Sequence, residues 1–422
     1  MSIASFVGSQ VGAWATRDGI DLRKLRYVPG VAKYPLQRDG VDPVPRLVAA
    51  DPVTHLISLL GTDVWLVSGY EQARAVLADA GTYSNDLRPL VSRHGRGAAE
   101  QIGGLGMTDP PDHTALRRLL TPEFTRRRLT RLQPRIEEIV DARLDVMQRR
   151  RGRVDLVTEF AFPVPFEVIC DLLGLPAVDR AAFRRLGAAR FDLSKGGAGT
   201  FGAAAESREF LIDAVSRQRR DPGDGLIGAL LREHGDELDD TTLGGLADGV
   251  FLGGYETSAS MLALSAHVLM QHPEVYAALG SDPDSVDEIV EALLRHLTVV
   301  QLAFPRFARY DHELFGQRIR RGDAVLVSLL GANRELAPDF APVRDITGHL
   351  AFGHGLHRCV GAELARMELR TALRGLATRF PEMRPATRRL RFRKLSAVYG
   401  VDRLPVRLDG RPRSGASRRR DR

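Results

Sequence analysis

Between His349 and Arg370 the chain reads HLAFGHGLHRCVGAELARMELR, and the reading of the whole sequence turns on this stretch. Gly353 and Gly355 permit a tight backbone path that a side chain would hinder. Cys359 follows, and Gly361, two residues on, lets a helix begin close to whatever the sulfur touches. Such a helix points its first N–H groups and its positive end at the cysteine, which lowers a thiol pKa and holds a thiolate. His357 and Arg358 add positive charge nearby. A lone cysteine without a CxxC partner suits a metal whose other ligands come from elsewhere, and haem iron fits that description. An inert buried thiol is the usual fate of a lone cysteine, but the glycines and basic residues around Cys359 argue against it here.

Outward from this segment the chain is dominated by helical periodicity. HTALRRLLTPEF, LTRLQPRIEEIVDARLDVMQRR, FPVPFEVICDLLGLP and AESREFLIDAVSRQRRD place apolar residues at three- and four-residue spacing. Asp239 to Met270 is long, apolar and poor in charge, which predicts a buried central helix, and Val286 to Leu297 predicts another. Strand signals lie near the two ends of the chain. VWLVSG (Val64 to Gly69) predicts a short strand, followed by a short helix that Gly81 ends. The stretch FPRFARYDHELFGQRIRRGDAVLVSLLGANR alternates around Gly316 and Gly322 and predicts a hairpin and then a buried strand. A Pro- and Asp-rich coil covers Ala337 to Asp345, and Arg391 to Leu408 predicts alternating short strands. The expected fold class is mainly α with small β-sheets.

Composition bounds the rest. The 422 residues are 44% hydrophobic, 27% charged and 6% aromatic, a folded globular profile. No run of about 18 apolar residues is present, so no membrane span is expected. The amino-terminal residues lack a basic leader before their apolar run and do not read as a secretory signal. Two cysteines cannot build a disulfide framework, so an intracellular, cytoplasmic protein is expected. Residues 407 to 422 contain seven arginines and two aspartates, which is +5 of the total net charge of +7. The body is therefore nearly neutral, and the arginine-rich end is expected to be a disordered, solvated tail. No interleaved aromatics or nucleic-acid motif support nucleic-acid binding.

The cysteine segment closely resembles the haem-binding loop of the bacterial cytochrome P450 family, F-G-x-G-x-H-x-C-x-G, in Phe352, Gly353, Gly355, His357, Cys359 and Gly361. The resemblance implies a single haem-binding domain over residues 1 to 406, with haem b as cofactor and Cys359 as its axial thiolate. It also implies that His357 holds a propionate and Phe352 packs near the sulfur. TDPPDHTALRRLLTPEFT resembles a family helix on which His113 and Arg117, four residues apart and on one face, clamp a propionate. FPRFARYDHELFG resembles the family strand whose arginine contacts the other propionate, here Arg306. FLGGYETSAS resembles the oxygen-binding stretch. The resemblance implies that the pair Gly253 and Gly254 loosens the helix and makes room above the haem for dioxygen, that Thr257 turns its hydroxyl into this gap, and that Glu256 relays protons.

The match departs from the family chiefly at one structural motif; the coil between Pro342 and His349 is also shorter than usual and lacks an arginine common there, and Gly253 replaces the commoner alanine. Members usually carry Glu-x-x-Arg on the helix after the oxygen-binding one. Here Arg295 is present but Ala292 stands where the glutamate is expected. Glu291 lies four residues before Arg295, and Arg344 matches the third arginine of the group. Two arginines would meet without their carboxylate, which is costly if they are buried.

The resemblance implies a haem-thiolate monooxygenase that oxidises a small hydrophobic metabolite with dioxygen. A second reading is oxidative cross-linking of aromatic side chains in a peptide substrate, and a third is a catalytically impaired scaffold. No reductase portion is evident, so ferredoxin and ferredoxin reductase are the expected electron donors. Arg117, Arg118, Arg126 to Arg128 and Arg358 are candidates for a basic docking face. The expected substrate pocket is lined by residues 87–107, by 190–202, by Phe251 and Tyr255, and by Val299 to Phe304. SKGGAGTFG, residues 194–202, is expected to be a mobile loop.

Overall fold

The computed structural model describes residues 30–59, 62–86, 105–150, 152–190, 196–342 and 348–409. Helices fill most of it, and small sheets flank them, as the periodicity predicts. The central helix runs from Asp240 to Leu269. Asp239 starts it by accepting the Thr242 N–H at 2.7 Å, a capping contact that satisfies one of the unpaired donors at a helix start. Beyond its first turn this helix is apolar on nearly every face, and neighbouring helices cover it from several sides. The helices Gln133–Arg150, Pro163–Leu173 and Ala362–Arg379 pack around it and around one another in one continuous core. Cys170 sits in that core, where burial pushes its thiol up to about 12. It is an inert packed thiol, as expected of its helix.

A five-stranded sheet lies beside the helices. Its order is Val53–Leu59, Thr62–Val67, Ala324–Val327, Arg306–Ala308 and Tyr83–Ser84. Ala324–Val327 pairs in parallel with the predicted strand at Val64 to Val67, and on its other edge Val325 stands opposite Arg306. The sheet therefore fixes Arg306 by main-chain pairing. The predicted hairpin is present as His312–Leu314 and Gln317–Ile319. Its two-residue turn has positive φ at both Phe315 (48°) and Gly316 (81°), the turn whose twist matches antiparallel strands.

Three expectations need correction. Gly196 to Gly202 is not a loop but the start of a helix, Gly196–Gln218; the strong helix formers after it carry the glycines into helical conformation. Residues 191–195 lie outside the described residues. Arg391 to Leu408 forms one short strand, Pro405–Arg407, and otherwise irregular chain. Single bonds such as the Arg393 N–H to the Gly400 carbonyl (2.9 Å) hold that chain instead of a ladder. The expected tail also begins too early, because Arg407 pairs with both Arg153 and Arg384 in a three-stranded sheet. Residues 410–422 lie outside the described residues.

Between the central helix and the helix Ala362–Arg379 lies a carboxyl group that the sequence did not single out. Glu368 is 3% exposed, shares a hydrogen bond with Ser258, and leaves Oε2 without a partner. Burial raises its pKa to about 8. Between the ordinary glutamate pKa and about 8, the unfolded chain releases a proton that the folded chain keeps. Stability therefore falls as pH rises through that window. Glu368→Gln should flatten the fall, as read from melting temperatures of both proteins between about pH 5 and pH 8; parallel curves would contradict this assignment.

Candidate functional site

The cysteine loop is shaped by its glycines. Gly353 and Gly355 both take positive φ, 68° and 69°. A Cβ on Gly355 would stand 2.3 Å from the Leu77 carbonyl oxygen, so the loop can lie against the Tyr70–Ala78 helix only with glycine there. The Cys359 N–H donates to the Phe352 carbonyl at 2.9 Å, which closes the loop. The helix Ala362–Arg379 begins just beyond, with Gly361 at its cap. As the sequence predicts, a backbone N–H of this start, that of Gly361, is hydrogen-bonded to the Cys359 sulfur. Cys359 exposes surface although protein surrounds it, so the residue lies in a recess of the fold. Burial raises its thiol pKa, against the pull of the Gly361 N–H and of Arg117, Arg358 and Arg366. A thiolate in this recess is therefore best held by a cation bound directly to the sulfur.

Imidazoles and guanidiniums from three elements gather beside the loop. His113 comes from the helix Asp112–Leu120, is fully buried, and has no hydrogen-bond partner among the described residues on either ring nitrogen. Its ring centroid lies 4.3 Å from that of His357. The His357 Nδ1 is 3.2 Å from the Leu105 carbonyl, which leaves Nε2 for another partner. Burial, with His113 and Arg306 beside it, lowers the His357 pKa to about 4. Arg306 is buried, donates to the Phe304 carbonyl at 2.9 Å, and is pulled down to about 10 by burial. Arg117, one turn from His113, donates to the Arg358 carbonyl at 2.7 Å. Burying charge without a counter-charge is costly. A ligand bearing carboxylates beside a metal would satisfy both His113 and Arg306.

The central helix presents an open stripe in an otherwise buried element. Gly249, Leu252 and Gly253 are exposed and Thr257 is partly so, a spacing that puts them on one face. A Cβ on Gly249 or Gly253 would meet nothing within 4 Å, whereas one on Gly254 would meet Ile169 at 2.9 Å. The glycine pair therefore divides its work, Gly254 for packing and Gly253 for open space. The helix does not loosen here. It continues unbroken, and the Thr257 hydroxyl donates to the Gly253 carbonyl at 2.5 Å. Glu256 is 8% exposed and pairs with Arg393 at 2.6 Å. Burial raises its pKa to about 7 against the lowering effect of Arg393. Arg393 also pairs with Asp402 at 3.0 Å. Nothing in the sequence marks Arg393, because its partner lies 137 positions away.

The expected pocket wall is corrected in part. Phe251 and Tyr255 do not line it. Their rings stack at 5.3 Å, and Tyr255 meets Phe162 and Phe166 edge-on inside the core. Val299 and Gln301 are also buried, while Phe304 remains 48% exposed. Residues 87–104 and 191–195 lie outside the described residues.

At the altered motif, Ala292 is 1% exposed and Arg295 is 2% exposed. Arg295 donates to the Ala341 carbonyl at 2.8 Å, and its Nε has no partner. Glu291 does not turn to Arg295. It pairs with Arg366 at 2.6 Å and His349 at 3.0 Å, which hold its pKa down at about 2 although burial opposes this. Arg344 lies outside the described residues.

These residues fit a flat, iron-bearing macrocycle with acidic side arms. Cys359 is exposed and, among the described residues, His113 has no hydrogen-bond partner and neither Gly253 nor Gly353 has anything within 4 Å of where a Cβ would stand. Among the described residues no group of three or more His, Cys, Asp or Glu could hold a metal ion. No described helix is long and apolar enough to cross a membrane.

The family model described as Cytochrome P450 matches residues 54–174 and 202–388. Cytochrome P450 FAS1 of Rhodococcoides fascians is 39% identical over 395 residues, covering 89% of this chain and 99% of that protein. Among solved structures, the complex of the X-domain and OxyB from teicoplanin biosynthesis aligns with TM-score 0.80 at 39% identity, covering 89% of this chain and 99% of that one. OxyC, a cytochrome P450 implicated in an oxidative C–C coupling reaction during vancomycin biosynthesis, aligns with TM-score 0.79 at 35% identity over 88% of this chain and 96% of that one. With its cysteine loop, its open central-helix stripe and these relatives, the chain belongs to the cytochrome P450 family, haem-dependent monooxygenases that activate oxygen with electrons from redox partners.

Proposed function

We propose that Cys359 is the axial ligand of haem b and that the enzyme oxidises an apolar organic substrate with dioxygen. The observation that carries this reading is the open Cys359 thiol beside the buried, unpartnered His113. His113, Arg117, Arg306 and His357 hold the propionates, and this gives the buried imidazoles and guanidiniums the anions they otherwise lack. Phe352 and Gly361 fix the loop around the sulfur, Phe352 through its carbonyl and Gly361 through its N–H. Thiolate-bound haem iron, when present, supplies oxygen activation. The chain's own residues do the rest. Gly253 leaves space on the central helix, Thr257 places a hydroxyl beside it, and Glu256 holds a proton near neutral pH and passes it toward Thr257. Leu252 and Phe304 offer apolar surface to the substrate.

A separate ferredoxin and its reductase supply the electrons. Arg118, Arg126, Arg127 and Arg358 are exposed and give an acidic ferredoxin a basic surface. Both cysteines are free thiols, which fits a cytoplasmic enzyme. A second reading, cross-linking of aromatic side chains in a peptide, is favoured by the likeness to OxyC, a P450 implicated in oxidative C–C coupling, and to OxyB, solved with an X-domain.

The reduced, carbon-monoxide-saturated protein should show the red-shifted Soret band of thiolate ligation, and Cys359→Ala should lose it. A band of neutral-thiol or histidine ligation in the parent protein would overturn the reading. If Glu256 delivers protons, the share of electrons ending in product should decline as pH rises through about 7, where the carboxyl ionises. Arg393→Leu removes the partner that lowers this pKa, so the decline should move to higher pH, and Glu256→Gln should abolish it. A profile identical in all three proteins would exclude Glu256 from the proton path.

A further inference from the structure

The carboxylate missing at position 292 has a counterpart one residue earlier, with a different partner. Glu291 accepts two parallel hydrogen bonds from one guanidinium, from Arg366 Nε at 2.6 Å and Nη2 at 2.9 Å. This fork-to-fork geometry is the strongest form of the pair. His349 completes the group from the other side. Its Nδ1 accepts the Ala351 N–H at 3.2 Å, so its proton sits on Nε2 and is donated to Glu291 at 3.0 Å. Arg366 belongs to the helix that starts at the cysteine, and it also binds Glu363 at 2.9 Å. Its guanidinium carbon lies 4.7 Å above the centre of the Phe352 ring, and the His349 ring is 6.0 Å from the same ring. Phe352 in turn accepts the Cys359 N–H. One half-exposed carboxylate thus ties together the helix Val286–Leu297, both ends of the cysteine loop and the aromatic ring seven residues before the sulfur.

Arg295, by contrast, contributes little to this loop. Among the described residues it binds one main-chain carbonyl, at 341, and Glu291 reaches it only through its field. We infer that Glu291, with Arg366 and His349, is the positioning clamp of the cysteine loop in this protein, acting on the sulfur through Phe352, and that Arg295 is dispensable for it. This inference rests on Cys359 being the iron ligand. The clamp keeps the Phe352 carbonyl aimed at the Cys359 N–H, and the sulfur stays where the Gly361 N–H reaches it. Arg366 needs its fork, because a lysine there would keep the charge but lose the parallel pair and the stacking on Phe352. Arg295 needs only its volume.

The test compares three variants of the full-length holoenzyme, Glu291→Gln, Arg366→Lys and Arg295→Met. The readouts are the thiolate fraction of the carbon-monoxide spectrum and the rate of haem transfer to apomyoglobin. Supporting partners of metal ligands typically change metal affinity by about tenfold or more. Glu291→Gln and Arg366→Lys should therefore each lose haem about tenfold faster and shift toward the neutral-thiol band. Their double variant should be no worse than either, since both remove one contact. Arg295→Met should keep the parent spectrum and transfer rate, with a melting temperature no lower than the parent's, because it removes a poorly paired buried charge. The inference is overturned if Glu291→Gln and Arg366→Lys behave like the parent, or if Arg295→Met loses haem as fast as they do. If Glu291→Gln does not fold, Arg366→Lys and Arg295→Met decide by the same criteria. A parent protein without the thiolate band would overturn the iron-ligand reading itself, and so is distinguishable from a failure of the clamp alone.

Discussion

Buried positive charge is the constraint that organises this molecule. Arg38, Arg295, Arg306 and Arg334 all lie in the interior or are largely enclosed by it, and burial lowers the pKa of the His113 imidazole among them. Outside the site, main-chain carbonyls and single acids balance them. Arg38 donates to the carbonyls of Leu297 and Thr298, and Arg334 donates to that of His296 and pairs with Asp42. Both thereby place cations at the negative end of the helix Val286–Leu297. The same physics gives a different result beside the cysteine. There His113 and Arg306 are held in place by the helix and the sheet, with the field of Asp109 but, among the described residues, no carboxylate at ion-pair distance, and this is the arrangement that a group with acidic arms completes.

The cysteine loop and the central helix solve complementary problems. The loop must approach other backbone closely and still present a sulfur, so it relies on Gly355 against Leu77 and on a main-chain bond between residues 352 and 359. The central helix must be buried for stability and open at one place for chemistry. It does so with Gly253 and Gly249 facing open space while Gly254, one residue away, packs on Ile169. Glu256 lies at the boundary between these environments. Desolvation alone would leave it protonated well above its ordinary range, and Arg393 brings it back to about 7. An acid tuned near neutral pH by two opposing effects is what proton transfer requires.

Much of the site was legible because its residues are close in sequence or obey helical spacing. Phe352, Gly353, Gly355, His357, Cys359 and Gly361 lie within ten positions, and His113 and Arg117 are one turn apart. The hairpin turn at Phe315 and Gly316 and the parallel strand at Ala324–Val327 were likewise carried by local signals. What could not be read depended on distance or on direction. Helix phase alone does not decide whether Tyr255 enters the pocket, and the structure places it in an aromatic cluster with Phe162, Phe166 and Phe251. Gly196 to Gly202 reads as a loop from composition, yet the helix formers that follow carry it into a helix. The glutamate absent at 292 leaves open which acid serves the core, and the carboxylate at 291 meets Arg366, 75 positions away.

The amino-acid sequence by itself determined the helix-rich class, the position of the cysteine loop, the open glycine of the central helix and the membership of a haem-dependent family. The first three follow from periodicity and from short-range spacing, which are properties of neighbouring residues, and the family from the resemblance of the cysteine segment and the other motifs to its members. Only the tertiary structure decided which buried charges are compensated and by what. It paired Glu256 with Arg393, Glu368 with Ser258 and Glu291 with Arg366, and left His113 without a partner. The physical reason is that electrostatic compensation acts through space in a weakly screening interior. The groups that meet there are chosen by packing and not by their order along the chain.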